Sequence, residues 1–102
     1  MKTLYAGYIV DNTFIIYSLT AEEINDSYYN IESVPYELRM FYRIWKTNLD
    51  RIKQIDNAYV YFSFDKAAVE EFIIKRKKAK IREIKNQLEL IEKAKIQYKE
   101  VD

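Results

Sequence analysis

The sequence contains no cysteine and no histidine among its 102 residues, and only one glycine and one proline. Without cysteine, the chain can form neither disulfides nor thiolate metal sites. Without histidine, it lacks the most common general base and the most common zinc ligand. The single glycine, Gly7, also excludes the glycine-rich loops that bind phosphate groups.

Two pairs of adjacent carboxylates remain as candidates for acid–base chemistry: Glu22 with Glu23, and Glu70 with Glu71. Each pair lies near the start of a predicted helix, where the helix dipole stabilises negative charge. This structural role explains the two pairs better than catalysis does. We therefore expect a protein that is not an enzyme and that binds no metal or other cofactor.

Long apolar runs are also missing, and the N-terminal stretch "MKTLYAGYIVDN" has neither the apolar core nor the cleavage site of a signal peptide. We expect a cytoplasmic protein without a membrane partner. Its 49% hydrophobic and 32% charged residues are typical of a globular chain. A chain of this length has room for one core, which predicts a single domain over residues 1–102.

The charges are unevenly distributed although the net charge is only +1. Residues 1–34 carry one basic and five acidic groups, whereas residues 75–102 carry ten basic and five acidic groups, a balance of −4 against +5. Such an asymmetry can serve a partner, or it can draw the two ends of the chain together.

The first 19 residues predict a β-hairpin, because they are rich in β-branched and aromatic side chains and are interrupted only by Asp11-Asn12. We place the strands at about residues 3–10 and 13–19. With Asp11 and Asn12 as a two-residue loop, Val10 faces Thr13 and Leu4 faces Leu19. Both faces of this hairpin are apolar, so both must be covered.

Two helices are predicted to follow. Thr20 and Glu23 have the spacing of a capping box, which predicts a short helix to about Tyr29. Ser33 and Pro35 then predict the start of a longer helix that ends near Asp56-Asn57. Its apolar positions are spaced by three and four residues.

A third strand, residues 58–64, and a final helix complete the prediction. Asp65 is the expected N-cap, and no glycine or proline interrupts the sequence before Glu100. A helix of that length would be longer than the diameter of a domain of this size, so it must either break or project beyond the rest of the fold. We expect a bend or a solvent-exposed joint in "KRKKAK", residues 75–80, because this stretch offers only Ala79 to a core.

The stretches "YSLTAEEI" and "FSFDKAAV" lie 45 positions apart and have similar patterns. One interpretation is that strand, cap and helix arose twice independently. The other is an internal repeat, residues 13–56 and 58–101, in an α+β fold of a small antiparallel sheet with helices packed on it. Two diverged β-α-α motifs would then be related by a pseudo-twofold axis, with a groove between the halves that could bind a peptide.

Tyrosines supply the candidate partner-binding residues, since Tyr and Trp dominate binding hot spots. Tyr28, Tyr29, Tyr36 and Tyr42 flank the predicted joint between the two helices, and not all of them can be buried at once. We predict that they contact a protein or peptide partner.

A basic stretch offers the alternative function, nucleic-acid binding. Its residues are Lys75, Arg76, Lys77, Lys78, Lys80, Arg82 and Lys85. Such a run is more often a solvated helix face, because these positions spread around the helix.

A further apolar stripe, Ile81, Ile84, Leu88 and Ile91, has heptad spacing. We expect it to pack within its own chain, since Lys77 and Lys95 would interrupt a long zipper. A weak homodimer joined by this stripe is the remaining possibility.

The chain is rich in Ile, Tyr, Lys and Glu and has little Gly, Pro or Cys. In length and composition it resembles the orphan small proteins of filamentous viruses that infect hyperthermophilic archaea, of the Acidianus filamentous virus type. The resemblance implies a viral accessory protein in the cytoplasm of an infected host cell, with no assigned enzymatic activity. The leading hypothesis is therefore a non-enzymatic protein–protein interaction module.

Overall fold

The computed structural model describes residues 1–101 and confirms an α+β fold, with a six-stranded antiparallel curled sheet and one long helix. The strands run along the sheet in the order β4-β3-β2-β1-β6-β5. Their bounds are β1 Lys2–Val10, β2 Thr13–Glu23, β3 Tyr28–Glu32, β4 Arg43–Trp45, β5 Ile52–Ile55 and β6 Ala58–Ser63, and the helix α1 is Lys66–Lys93. Two 3₁₀ helices, Tyr36–Phe41 and Lys46–Asn48, flank β4.

The N-terminal hairpin is confirmed in both position and register. Val10 pairs with Thr13 and Leu4 with Leu19, as the two-residue loop requires. β2 is longer than predicted, because it continues to Glu23.

The last strand and the start of the last helix are also confirmed. β6 ends at Ser63, and Asp65 is the N-cap of α1, where its Oδ1 accepts a hydrogen bond of 3.0 Å from the Ala67 backbone N–H. The cap satisfies one of the backbone donors that a helix start leaves unpaired.

The predicted helix from Thr20 to Tyr29 is wrong. In its place β2 continues and forms a second hairpin with β3, in which Ala21 pairs with Ile31 and Glu23 with Tyr29. The turn is held by Asn25, whose Oδ1 accepts a 2.7 Å hydrogen bond from the Ser27 backbone N–H. Pairing with a neighbouring strand therefore overrides the local capping signal.

The predicted helix from Ser33 to Asp56-Asn57 is also wrong. That segment forms the first 3₁₀ helix, β4, the second 3₁₀ helix and β5. Ser33 and Asp50 adopt positive φ angles of 51° and 58°, which end any regular helix at those points. Asp56 is the first loop residue of a hairpin between β5 and β6.

The main core lies within the curl of the sheet. Its fully buried side chains include Leu4, Val60 and Phe62 from the central strands and Leu38 from the 3₁₀ helix, which covers the core. Phe41 packs edge-to-face on Phe62 at a ring distance of 5.0 Å.

The opposite face of the sheet carries the first half of α1, through Val69 and Phe72. The Phe72 ring stacks on Tyr61 with 5.2 Å between ring centroids. Gly7, on β1, permits this contact, because a Cβ at that position would lie 3.0 Å from Phe72 and 3.1 Å from Val69. The only glycine of the chain therefore lies at a close approach of helix and sheet.

The predicted bend in residues 75–80 is wrong, because α1 is continuous from Lys66 to Lys93. Long basic side chains cover the sheet there. The Arg76 guanidinium lies 4.3 Å from the Tyr59 ring, and the Lys80 ammonium donates a hydrogen bond to the Asp11 carbonyl. The second half of α1 projects beyond the sheet, and the longest dimension of the molecule is 71 Å.

The pseudo-twofold relation of two β-α-α motifs is not confirmed. Residues 13–56 contain strands and 3₁₀ helices, whereas residues 58–101 contain one strand and α1. No helix within residues 1–101 is long and apolar enough to span a membrane.

Candidate functional site

The four predicted partner-binding tyrosines lie in different environments. Tyr29 is buried in the main core, where its ring packs edge-to-face on Phe64 at 5.2 Å. Tyr28 is half-buried on the outer face of β3, and Tyr36 and Tyr42 are exposed. The structure therefore brings Tyr28 and Tyr42 to one surface and separates Tyr29 and Tyr36 from it.

That surface is formed by Tyr28, Tyr42, Arg43 and Trp45, and we call it the aromatic surface. Tyr28 and Trp45 are directly paired across β3 and β4, with their rings edge-to-face and 5.3 Å apart. The Arg43 guanidinium lies 4.2 Å from the Tyr28 ring and 6.0 Å from the Tyr42 ring. These contacts link the four side chains to one another.

The backbone of the β3–β4 hairpin positions the aromatic surface. The Ile31 backbone N–H donates a 2.9 Å hydrogen bond to the Tyr42 carbonyl, and the Lys46 backbone N–H donates one of 2.8 Å to the Ser27 carbonyl. Ile44, between Arg43 and Trp45, is buried in the core. Because side chains alternate along a strand, Arg43 and Trp45 are held on the outer face.

An ion pair joins the end of β2 to the residue that follows β4. The Lys46 ammonium donates a 2.8 Å hydrogen bond to Glu23 Oε2 and lies 5.2 Å from the Tyr29 ring. The hydrogen bond from Lys46 is the main reason that the pKa of the Glu23 carboxyl is lowered, and the same bond raises the pKa of Lys46. Both charges are therefore retained at neutral pH.

Tyr36 lies apart, on the first 3₁₀ helix. The Arg39 guanidinium stacks on its ring at 4.2 Å and donates a 3.0 Å hydrogen bond to its carbonyl. Tyr36 lines a cleft against the β5–β6 turn, with Met40 and Ile55 among its neighbours.

A separate apolar groove of about 330 Å³ lies between β5 and α1. Ile52, Tyr61 and Phe72 form its apolar part. Glu71 and Lys75 lie on its rim as an ion pair of 2.8 Å, which lowers the pKa of Glu71 and raises the pKa of Lys75. Burial is the main reason that the pKa of Tyr61 is raised. This groove differs from the expected one, since it does not separate two similar halves.

The basic stretch divides into two sets. Arg76, Lys77 and Lys80 face the sheet, where Lys77 lies 5.9 Å from the Phe14 ring. The others are exposed and are spaced by three and four residues along α1. They are Lys75, Lys78, Arg82 and Lys85.

No group of three or more His, Cys, Asp or Glu side chains within residues 1–101 is arranged to hold a metal ion. No family model matches the chain, and no curated protein or solved structure matches it.

Arg43 and Trp45 are the members of the aromatic surface that the four predicted tyrosines do not include. Residues 43–45 read Arg-Ile-Trp, and they are exposed, buried and exposed in turn, which is the period of a strand. The pattern is only three residues long, so the helical spacing of the surrounding apolar residues masks it.

Proposed function

We propose that the protein is a non-enzymatic protein-binding module and that the aromatic surface is its binding site. The observation that supports the proposal is the exposed, preorganised contact of Arg43 with Tyr28, beside Trp45, which is 46% exposed. Tyr, Trp and Arg are the residues most enriched in binding hot spots. Held rigidly by the hairpin, they lose little conformational freedom when a partner binds.

The position of the aromatic surface suggests the form of the partner. β4 is an edge strand of the sheet, so its outer backbone groups can pair with an added extended segment. Side chains at every second position of that segment would face Arg43 and Trp45. We therefore propose a partner segment with an acidic residue opposite Arg43 and an apolar or aromatic residue opposite Trp45.

This proposal does not depend on a repeat of residues 13–56 and 58–101, or on a groove between two such halves. If the protein is a viral accessory protein, as its similarity in composition to small proteins of archaeal filamentous viruses implies, the partner would be a protein of the virus or of its host cell.

The test is selection of peptides from a random display library on the full chain, followed by affinity measurements on variants. We expect Trp45→Ala and Arg43→Glu each to weaken binding by at least about tenfold. Ile52→Lys is the matched control, because Ile52 is similarly exposed but lies on the opposite edge strand, in the separate groove. Failure to select any peptide would contradict the proposal, and loss of binding in Ile52→Lys alone would move the site to that groove.

Nucleic-acid binding by the outer basic side chains of α1 is the second candidate function. The supporting observation is that Lys78, Arg82 and Lys85 share one exposed side of the helix. The test is binding of a short DNA duplex. Binding would support this function if it weakens steeply as the salt concentration rises and if a triple change of these three residues to Glu abolishes it. Binding that is absent at low salt would exclude it.

A further inference from the structure

The part of α1 that projects beyond the sheet carries an exposed apolar stripe. Ile81, Ile84, Leu88 and Ile91 are 47%, 52%, 54% and 71% exposed. Scattered exposed apolar side chains are ordinary, but a row of four along two turns or more of one helix face is a typical interaction surface. Residues 1–101 leave the stripe uncovered, so the expectation that it packs within its own chain is wrong for this part of the chain.

The stripe does not continue the face by which α1 packs on the sheet. Val69 and Phe72 make that contact, and at about 100° per residue the centre of the stripe lies roughly a third of a turn away. The sheet therefore cannot cover the stripe without rotation of the whole helix, which would expose Val69 and Phe72.

We propose that the stripe joins two copies of this chain in a short antiparallel coiled coil. The steps of three, four and three residues are those of a and d positions in a heptad. In an antiparallel pair, Ile81 meets Ile91 of the partner subunit, and Ile84 meets Leu88 of the partner subunit. All four apolar residues are then matched by apolar residues, which makes the stripe complementary to itself.

The flanking charges decide the orientation. In a parallel pair, Lys80 would lie beside Lys85 of the partner subunit, and symmetry would repeat this repulsion. In the antiparallel pair, Lys78 lies beside Glu92 of the partner subunit, and symmetry repeats this attraction. Gln87 then meets its own copy near the twofold axis, and the single close repulsion is between the two copies of Lys85. The balance of charge therefore favours the antiparallel arrangement.

The same heptad explains why the contact is short. Lys77 occupies the next position before the stripe, and α1 itself ends at Lys93, so the apolar seam stops at both ends of the stripe. We therefore expect a reversible dimer whose population depends on protein concentration. This inference is independent of the aromatic surface, which lies on the β3–β4 hairpin.

Sedimentation velocity of the full chain from about 1 µM to about 1 mM tests the association. We expect the sedimenting mass to rise from one chain to two. Leu88→Lys should keep the protein monomeric throughout, with an unchanged circular dichroism spectrum. Leu90→Lys is the control, because Leu90 is 70% exposed on the same helix but lies outside the stripe. A wild-type protein that stays monomeric, or equal loss of the dimer in both variants, would overturn the proposal.

Single cysteines test the orientation, because the natural chain has none. Gln87→Cys should form a disulfide-linked dimer on mild oxidation, since the two copies meet near the twofold axis. Asn86→Cys, on the outer side of the helix pair, should not. In a parallel pair the two copies of residue 88 would meet instead, so crosslinking of Leu88→Cys without crosslinking of Gln87→Cys would overturn the antiparallel arrangement.

Discussion

Asp11 and Asp56 hold the same position in two β-hairpins of this chain. Each is the first residue of a two-residue loop and is followed by asparagine, and their φ angles are 50° and 52°. Left-handed backbone conformations are usually adopted by glycine, but aspartate tolerates them better than most residues. In this chain, which has one glycine, these two turns therefore use aspartate at the left-handed position.

The positive φ of Asp56 predicts the effect of substitutions in that turn. Asp56→Val should lower the free energy of unfolding by about 1–2 kcal/mol, because a β-branched side chain clashes with its own backbone in this conformation. Asp56→Gly should not destabilise the protein to the same extent, since glycine has no Cβ. Urea denaturation followed by circular dichroism measures both, and equal stability of the two variants would contradict the assigned turn.

Gly7 predicts how closely α1 can approach the sheet. Gly7→Val should lower the free energy of unfolding by about 1–3 kcal/mol, because its side chain would enter the space occupied by Phe72. The double variant with Phe72→Ala, which removes the ring, should lose less than the sum of the two single variants. Strict additivity of the losses would show that Gly7 does not contact the helix.

Ser63 joins the end of β6 to two neighbouring segments. It is buried, its hydroxyl donates a 2.6 Å hydrogen bond to Asp50 Oδ1, and the hydroxyl oxygen accepts one of 3.1 Å from the Asp65 backbone N–H. Ser63→Ala should lower the free energy of unfolding by about 1–3 kcal/mol, because it removes two hydrogen bonds, one of them to a carboxylate. The exposed Ser18 holds the corresponding position in the first hairpin. Ser18→Ala should change stability by less than about 0.5 kcal/mol, and equal effects of the two substitutions would contradict this account.

The ion pair between Lys46 and Glu23 predicts a change in titration. The pKa of Glu23 is held below its ordinary value of 4.5, so the contribution of the pair to stability is present above that value. The contribution is lost as the pH falls through the lowered pKa of Glu23. In Lys46→Ala the pKa of Glu23 should rise toward 4.5, which a titration of its side chain by nuclear magnetic resonance measures. An unchanged pKa would show that the pair does not form in solution.

The elements predicted correctly from the sequence are those whose local signals agree with their long-range partners. Asp11-Asn12 with alternating apolar residues specifies the first hairpin, and Asp65 specifies the start of α1. Asp56-Asn57 repeats the first turn 45 residues later. That repetition is a usable signal for the β5–β6 hairpin, whereas the apolar spacing before it predicts the end of a helix there.

The middle of the chain could not be predicted because its local and long-range preferences conflict. Thr20 and Glu23 have the spacing of a helix start, yet β2 continues there because β3 pairs with it. Such pairing depends on residues about ten positions away, which a local pattern does not reveal. The aromatic surface was found only in part for the same reason, since Arg43 and Tyr28 meet only when β3 and β4 pair.

The most direct test of the aromatic surface is a titration of ¹⁵N-labelled protein with a selected peptide, followed by nuclear magnetic resonance. The account predicts that the backbone amide signals that shift most belong to residues 28–30 and 42–46. Shifts confined to residues 52, 61 and 68–76 would place binding in the groove between β5 and α1, and would contradict the proposed site.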